Sequence, residues 1–370
     1  MYEDDKRVVM TLDAGGTNFV FTAIQGNREV VEPVHIAARP DNLDECFKCL
    51  VDGFRQVEEQ LSEKPVAISF AFPGPADYEH GVIGDLPNFQ AFRGGVAMGR
   101  YLESVFGIPV YINNDGNLFA YGEALAGTLP ELNLALEKAG SPRRFRNLIG
   151  ITLGTGFGAG VVINNTLLTG DNGCGGDLWN SRNFLHPAMI AEESVSIRGV
   201  KRVYQELSGE DASGLTPKDI CGIADGTRPG NAGAAKESFR QLGAVLGDAV
   251  VGALGLIDGI VVIGGGVSGA ARHIMPAVME KFAEKSSTFA GDSFGRVQME
   301  VYDMGDNAQM QQLLADDTET VPVYGLDETV SYVRNKKTGI AISRLGANNA
   351  ICLGAYAFAL NELDRVSDGR

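Results

Sequence analysis

Apolar residues in this chain fall in short continuous runs broken by glycine-rich turns, and the longer runs change to a helical spacing. Val8–Leu12 reads as a strand that enters Asp13-Ala14-Gly15-Gly16-Thr17 and emerges as a second strand, Phe19–Ile24. A third strand near Glu29–Ala37 precedes a helix over Leu43–Leu61. Val66–Phe72 is then a continuous apolar run of the kind buried on both faces of a sheet. Gly94–Gly107 predicts a helix and Val110–Ile112 a short buried strand; from Asn117, the spacing of Leu118, Tyr121, Leu125 and Ala126 predicts another helix. The order β-β-β-α-β-α-β-α describes a mixed sheet flanked by helices.

A second round of the same pattern starts at Leu148–Leu153. That strand ends in Gly154-Thr155-Gly156-Phe157-Gly158 and is followed by Ala159–Ile163 and a short strand around Leu167. A long helical region, Ala232–Leu256, leads to the strand Ile260–Ile263, the cluster Gly264-Gly265-Gly266-Val267-Ser268-Gly269 and a helix over Ala270–Lys285. Between Val301 and Leu345 lies an acidic stretch with a hairpin whose turn is expected at Arg334–Gly339. A lid, an oligomer contact and plain decoration are all open for it. Leu345–Leu363 closes the chain as an apolar helix.

Asn113, Asn114 and Asp115 fall where a strand ends and a helix begins. A carboxylate there lies in the crevice where open α/β sheets bind ligands, placed for proton transfer. Taken alone, the stretch is read more simply as a helix cap made by Asp115 or Asn117. The three glycine clusters shift the weight. Glycines at a strand end let backbone N–H groups approach an anion, although each cluster by itself is also an ordinary turn. No Gly-Lys-Ser/Thr follows Asp13-Ala14-Gly15-Gly16-Thr17, so it is not a Walker loop. Gly154-x-Gly156-x-x-Ala159 loosely fits a dinucleotide motif but runs into a strand. Gly264 to Gly269 sits between a strand and a helix, with Glu284 near the place of a ribose-binding acid, which makes a dehydrogenase the competitor. Against it, the upstream units do not alternate β and α.

Composition narrows the partners. The 370 residues suit two domains, and 44% hydrophobic with 21% charged residues is a globular mixture. A formal net charge of −16 leaves no general basic footprint, so nucleic acid is not an expected partner, and the lack of an uninterrupted apolar span makes a membrane an unexpected one too. The acidic start, Met1–Arg7, has no signal-like apolar run behind it, and the apolar stretch Val250–Val267 is broken by Asp258 and glycines; a cytoplasmic protein is expected. Five scattered cysteines fit reduced thiols, and Cys46 and Cys49 read as core-facing residues of one helix rather than metal ligands.

Together, Asp13-x-Gly15-Gly16-Thr17, Asn114-Asp115-x-Asn117 with Gly122-Glu123, Leu153-Gly154-Thr155-Gly156 and Gly264-Gly265-Gly266 resemble the ROK family of bacterial sugar kinases and repressors, within the hexokinase, actin and Hsp70 superfamily. The resemblance runs from about Val8 to Leu360. It implies a two-domain α/β fold of the actin and ribonuclease H type, each domain a mixed sheet flanked by helices. Residues 1–117 with 346–370 would form the first domain and 118–345 the second, with an insertion near 303–338 and the C-terminal helix returning to the first domain. By the same resemblance Asp13, Gly15, Gly16 and Thr17 form the first phosphate loop, with Asp13 near Mg²⁺. Gly154, Thr155 and Gly156 form the second, and Gly264, Gly265 and Gly266 the adenosine motif. Asp115 matches the catalytic base, Asn88 and Asn114 the partners of sugar hydroxyls, and Gly74 the loop over the sugar.

One region departs from the family. Where many members carry Gly-Glu-x-Gly-His, then a cysteine-rich zinc motif and a further Glu, this chain reads Gly175-Gly176-Asp177-Leu178-Trp179-Asn180 and continues without the cysteines. Asp177 is expected to stand for the first Glu, Asn180 for the His and Glu192 or Glu193 for the later Glu, with no zinc site. Trp179 and His186 are expected in the core first, with a place near the sugar as the alternative. The resemblance implies an ATP- and Mg²⁺-dependent kinase acting on the primary hydroxyl of a hexose or N-acetylhexosamine, glucose or N-acetylmannosamine first, as a homodimer or higher homo-oligomer. The alternative is a non-catalytic sugar-binding or regulatory relative. A DNA-binding repressor is disfavoured by the position of Asp13 and by the acidic charge.

Overall fold

The computed structural model describes residues 1–14, 18–39, 42–74, 76–84 and 90–367. The expected loop residues Gly15, Gly16 and Thr17, and Asn88, lie outside them. In chain order the first elements are β1 (Val9–Ala14), β2 (Asn18–Gln25), β3 (Arg28–Glu29), β4 (Val34–Ala37), α1 (Leu43–Glu58), β5 (Ala67–Ala71), the short strands β6 (Ala76–Asp77), β7 (Val82–Ile83) and β8 (Val96–Ala97), α2 (Met98–Phe106), β9 (Val110–Asn113), α3 (Asp115–Leu125) and α4 (Thr128–Lys138). There follow β10 (Leu148–Leu153), β11 (Phe157–Ile163), β12 (Thr166–Leu167), α5 (Ile197–Ser208), α6 (Pro217–Ala224), α7 (Ala232–Ile257), β13 (Ile260–Gly264) and α8 (Ala271–Ala283). The chain ends with β14 (Lys285–Ser287), β15 (Ser293–Gly295), β16 (Glu300–Asp303), α9 (Asn307–Leu314), β17 (Thr318–Pro322), β18 (Thr329–Val333), β19 (Lys337–Ile342) and α10 (Ala347–Ser367).

Backbone contacts divide the chain into two units, one of Met1–Gly127, Gly160–Gly176 and Leu345–Arg370, the other of Thr128–Ala159 and Asp177–Arg344. In the first, the strand order is β3-β2-β1-β5-β9, with β4 also on β2. The pair β1–β2 is an antiparallel hairpin, while β1–β5 and β5–β9 are parallel. Leu12 is level with Phe70, and Phe70 with Ile112, so Asp13, Phe72 and Asn113 lie at one carboxyl edge. The second sheet, β12-β11-β10-β13-β19-β16, repeats the five-strand path and places its sixth strand, β16, beyond β19 where the first sheet has β4 on β2, so the two halves of the sequence share one topology. Thr152 pairs with Gly264 and Ile263 with Ile342, which levels the ends of β10, β13 and β19.

Each sheet is covered by helices whose apolar stripe faces it. In α1, Cys46, Leu50, Phe54 and Val57 are buried on one side, and Asn42 caps the first turn by accepting the Glu45 N–H at 3.1 Å. The helix α7 is the one described helix long and apolar enough to cross a membrane; more than half of that window is buried inside its own unit, where it packs on α5, α6 and α8 as a core helix. The C-terminal helix α10 packs on α3 and on β1, β5 and β9 of the first unit.

Several elements differ from expectation. The helix expected over Gly94–Gly107 starts at Met98, because Val96–Ala97 pairs with β7 instead. The hairpin turn expected at Arg334–Gly339 lies at 323–328, between β17 and β18. Lys337–Ile342 instead forms an interior strand, flanked by β13 and β16. Trp179 and His186 are exposed rather than in the core.

Candidate active site

In the first unit the apolar run of β9 stops at Asn113, and the chain turns at once into α3. The cap is Asn114: its side-chain oxygen accepts the Asn117 N–H at 2.6 Å. Asp115, expected as cap or base, is therefore released from capping and occupies the first helical position, where the helix N-terminus favours a carboxylate. Its Oδ1 accepts the Gly116 N–H at 2.8 Å. The residue is exposed at the sheet edge, but the protein mass packed around it desolvates its carboxyl and pushes its pKa above the ordinary range, against the backbone N–H groups of Gly116 and Asp115 itself.

A glycine of β11 holds this helix in place. A Cβ on Gly160 of β11 would lie 2.5 Å from the carbonyl oxygen of Gly116 and 2.7 Å from the Asn117 Cα, so only glycine lets β11 pack on the first turn. Asn117 is buried beneath it and donates to the Asn113 side-chain oxygen at 2.9 Å. At the same sheet edge, Asp13 is half-buried and burial raises its pKa. Gly74 is exposed in the loop after β5, which Tyr78 pins by donating to the Phe72 carbonyl at 2.9 Å. The structure thus brings Asp13, Gly74, Asn114 and Asp115 to one edge of the first sheet.

The second unit carries the other set. The β10–β11 turn closes when the Gly154 N–H donates to the Gly156 carbonyl at 3.1 Å, and the Ile197 N–H at the start of α5 donates to the Gly154 carbonyl at 2.9 Å. Glu192 Oε2 accepts the Phe157 N–H at 3.0 Å and lies 2.7 Å from where a Gly156 Cβ would stand. Arg198 donates to Glu192 at 2.7 Å and to Glu193 at 2.8 Å. Thr155, Ile197, Arg198 and Lys201 line an open cavity of about 340 Å³ beside the turn. Gly265 has φ +90° and approaches so closely that a Cβ would lie 2.3 Å from the Leu153 carbonyl oxygen, which sets Gly264–Gly266 against the end of β10.

The segment that departs from the family pattern folds back on itself. The Glu192 N–H donates to the Trp179 carbonyl at 3.1 Å and the Ala191 N–H to the Ser181 carbonyl at 2.7 Å, so Asp177 and Asn180 lie on the strand of chain facing Glu192 and Glu193. Burial raises the pKa of Asp177. The buried Asn183 ties the segment: its oxygen accepts the N–H groups of Leu185 and His186, and its nitrogen donates to Ser194 at 2.8 Å. Asn183 and Arg198 carry no signal in the sequence, because a lone Asn in a polar loop and a lone Arg in the first turn of a helix leave no periodic pattern. Glu284, the acid that a dinucleotide site would need, is paired with Lys281 and with Arg296. Cys221, Asp225 and His273 cluster in the same unit, but the Arg272 guanidinium already bridges Asp225 and the Cys221 sulfur.

Comparison with known proteins decides the family. The family model described as "ROK family" matches residues 9–311. The chain belongs to the ROK family. A crystal structure of glucokinase from Parabacteroides distasonis is 53% identical, with a TM-score of 0.87, covering 98% of this chain and 99% of that one. A glucokinase of Thermotoga maritima is 26% identical over 303 residues, 75% of this chain and 88% of that protein. The ROK glucokinase of Streptomyces griseus, solved with glucose and AMPPNP, shares the fold at 19% identity and a TM-score of 0.60, covering 95% of this chain and 98% of that one. As a glucokinase-like member of the ROK family, this protein is an ATP-dependent sugar kinase.

Proposed function

We propose that this ROK kinase transfers the γ-phosphate of ATP to the primary hydroxyl of a hexose or N-acetylhexosamine, with glucose the first candidate and N-acetylmannosamine the second. The observation that carries the choice of glucose is the 53% identity, over nearly the whole length of both chains, to a protein named a glucokinase. Asp115 is the general base. Its carboxylate, freed from capping by Asn114, takes the hydroxyl proton as that oxygen attacks the γ-phosphorus, while the bond to the β–γ bridging oxygen breaks and ADP leaves. Gly74, Asn88, Asn114, Asp177, Asn180 and Glu193 hold the sugar. The Asn114 oxygen already accepts one N–H at the helix start, and its amide nitrogen is the group placed to donate to a sugar oxygen.

The phosphates rest on Gly15, Gly16 and Thr17 and on the Gly154–Gly156 turn. The Gly154 N–H is spent inside that turn, so its anion contacts fall to Thr155 and Gly156. The adenosine lies at Gly264–Gly266. Asp13 fits Mg²⁺: it is a hard oxygen ligand whose charge burial disfavours, a cost that a cation would offset. When bound, Mg²⁺ would neutralise phosphate charge. The protein is read as a cytoplasmic homodimer or higher homo-oligomer, without zinc, nucleic acid or membrane.

The test is ADP release from Mg-ATP across a panel of glucose, mannose, N-acetylglucosamine and N-acetylmannosamine. Turnover strongest on glucose is expected. Turnover on none of them, with sugar still bound, would leave the non-catalytic reading.

A further inference from the structure

One guanidinium fastens the phosphate turn to the carboxylates on the acceptor side. Arg198 Nη2 donates to Glu192 Oε1 at 2.7 Å and to Glu193 Oε1 at 2.8 Å, and its Nε reaches the same Glu193 oxygen at 3.1 Å. Its Nη1 points to the Thr155 carbonyl at 3.5 Å, and Glu192 uses its other oxygen to hold the Phe157 N–H at 3.0 Å. A movement of the turn at Thr155 to Phe157 is therefore passed to Glu193 through Arg198. Both contacts to Glu193 land on Oε1, which leaves Oε2 for a sugar hydroxyl. A planar guanidinium can serve these acceptors together, whereas a lysine offers a single charged point. Arg198 also lines the cavity beside the turn, with Lys201 as a second cation on its wall.

We propose that Arg198 is a positioning residue that couples the two substrates: triphosphate settling on the Gly154–Gly156 turn fixes Arg198, and Arg198 fixes Glu193 where it receives the sugar. Each substrate then tightens the other, a reciprocity that linkage requires. The inference rests on the kinase reading and on the place of Glu193 at the sugar.

The test is calorimetric titration of the full-length wild type and Arg198→Ala with Mg-AMPPNP, alone and with saturating glucose, or with N-acetylglucosamine or N-acetylmannosamine if that is the sugar the wild type turns over. Sugar should tighten AMPPNP binding by roughly tenfold in the wild type and by less than about twofold in Arg198→Ala, within the usual range of coupling between sites. Arg198→Lys should recover part of the factor. Glu193→Gln should lose the coupling and sugar affinity while keeping affinity for AMPPNP alone. A general loss of fold would instead weaken AMPPNP alone and lower the melting temperature. An unchanged coupling factor in Arg198→Ala, or in both Arg198→Lys and Glu193→Gln should the alanine variant not fold, overturns the proposal, as does a wild type without coupling. Failure of the wild type to release ADP with any sugar would overturn the kinase reading as well, so the two failures are told apart.

Discussion

Gly122 of α3 and Gly354 of α10 meet backbone to backbone: a Cβ on Gly122 would lie 1.9 Å from the Ala350 carbonyl oxygen, and one on Gly354 would lie 1.9 Å from the Leu118 carbonyl oxygen. No side chain can rotate out of either clash, because the obstacle is main chain. Gly354→Ala must therefore separate the helices. Overpacking of a core typically costs about 1–3 kcal/mol, and with backbone as the obstacle the upper end is expected. Because α3 begins at Asp115, kcat should fall as well. Denaturant unfolding and kcat measured on the same preparation check both effects, and a variant equal to wild type in both would mean that the helices are free to part.

Gly265→Ala tests the proposed nucleotide side. The residue combines φ +90° with a Cβ position 2.3 Å from the Leu153 carbonyl oxygen. Left-handed backbone costs a side chain of order 1–3 kcal/mol before the clash is counted. The expected result is a lower melting temperature together with weaker Mg-AMPPNP binding, since relief of the clash must move Gly264–Gly266 off the end of β10. Glucose binding without nucleotide should be much less affected. Loss of glucose affinity with AMPPNP affinity intact would contradict the assignment of this turn.

With Asp115 as the proposed base, the acid limb of the pH profile follows from its carboxyl, which desolvation by the surrounding protein pushes above its ordinary value of 3.8. A base must be deprotonated, so kcat/KM should fall at a pH above the ordinary carboxylate range as the medium is acidified. The linkage to stability has the opposite sense. A carboxyl whose pKa is raised by folding favours the folded state only at low pH, and that advantage is lost as pH rises through the folded pKa. Asp115→Asn should therefore melt at or above the wild-type temperature at neutral pH, with the difference vanishing below about pH 4, near the unfolded pKa. A variant that melts well below wild type at pH 7 would mean that the charge stabilises the fold.

Much of this arrangement could be read in the residues. The apolar run that stops at Ile112 and resumes at helical spacing from Leu118 located Asp115 at a strand-to-helix junction, and the structure adds that Asn114, not Asp115, caps the helix. The strand ending at Leu153 and the one ending near Gly264 were legible for the same reason: both are buried throughout and dominated by apolar residues. The hairpin was not. Lys337-Thr338-Gly339 opens a sheet strand with residues that favour turns, while the true turn at 323–328 includes Val323, Tyr324 and Leu326, which look like strand. Tyr324 and Leu326 are exposed at its tip. Glycine at 354 has no helical rationale in the sequence, and the crossing with α3 supplies the reason for it. Arg198 acquires its meaning from Glu192 and Glu193 through a local fold that no periodicity encodes.

The central claim is that Asp115 removes the proton from the sugar hydroxyl. The direct measurement is sugar-dependent ADP release from Mg-ATP by wild type and Asp115→Asn, with sugar affinity determined alongside by titration. The expected result is a fall in kcat of about 10²–10⁴-fold, the usual worth of a general base, with sugar affinity changed only a few-fold. Turnover by Asp115→Asn within a few-fold of wild type would contradict the account and move the base elsewhere.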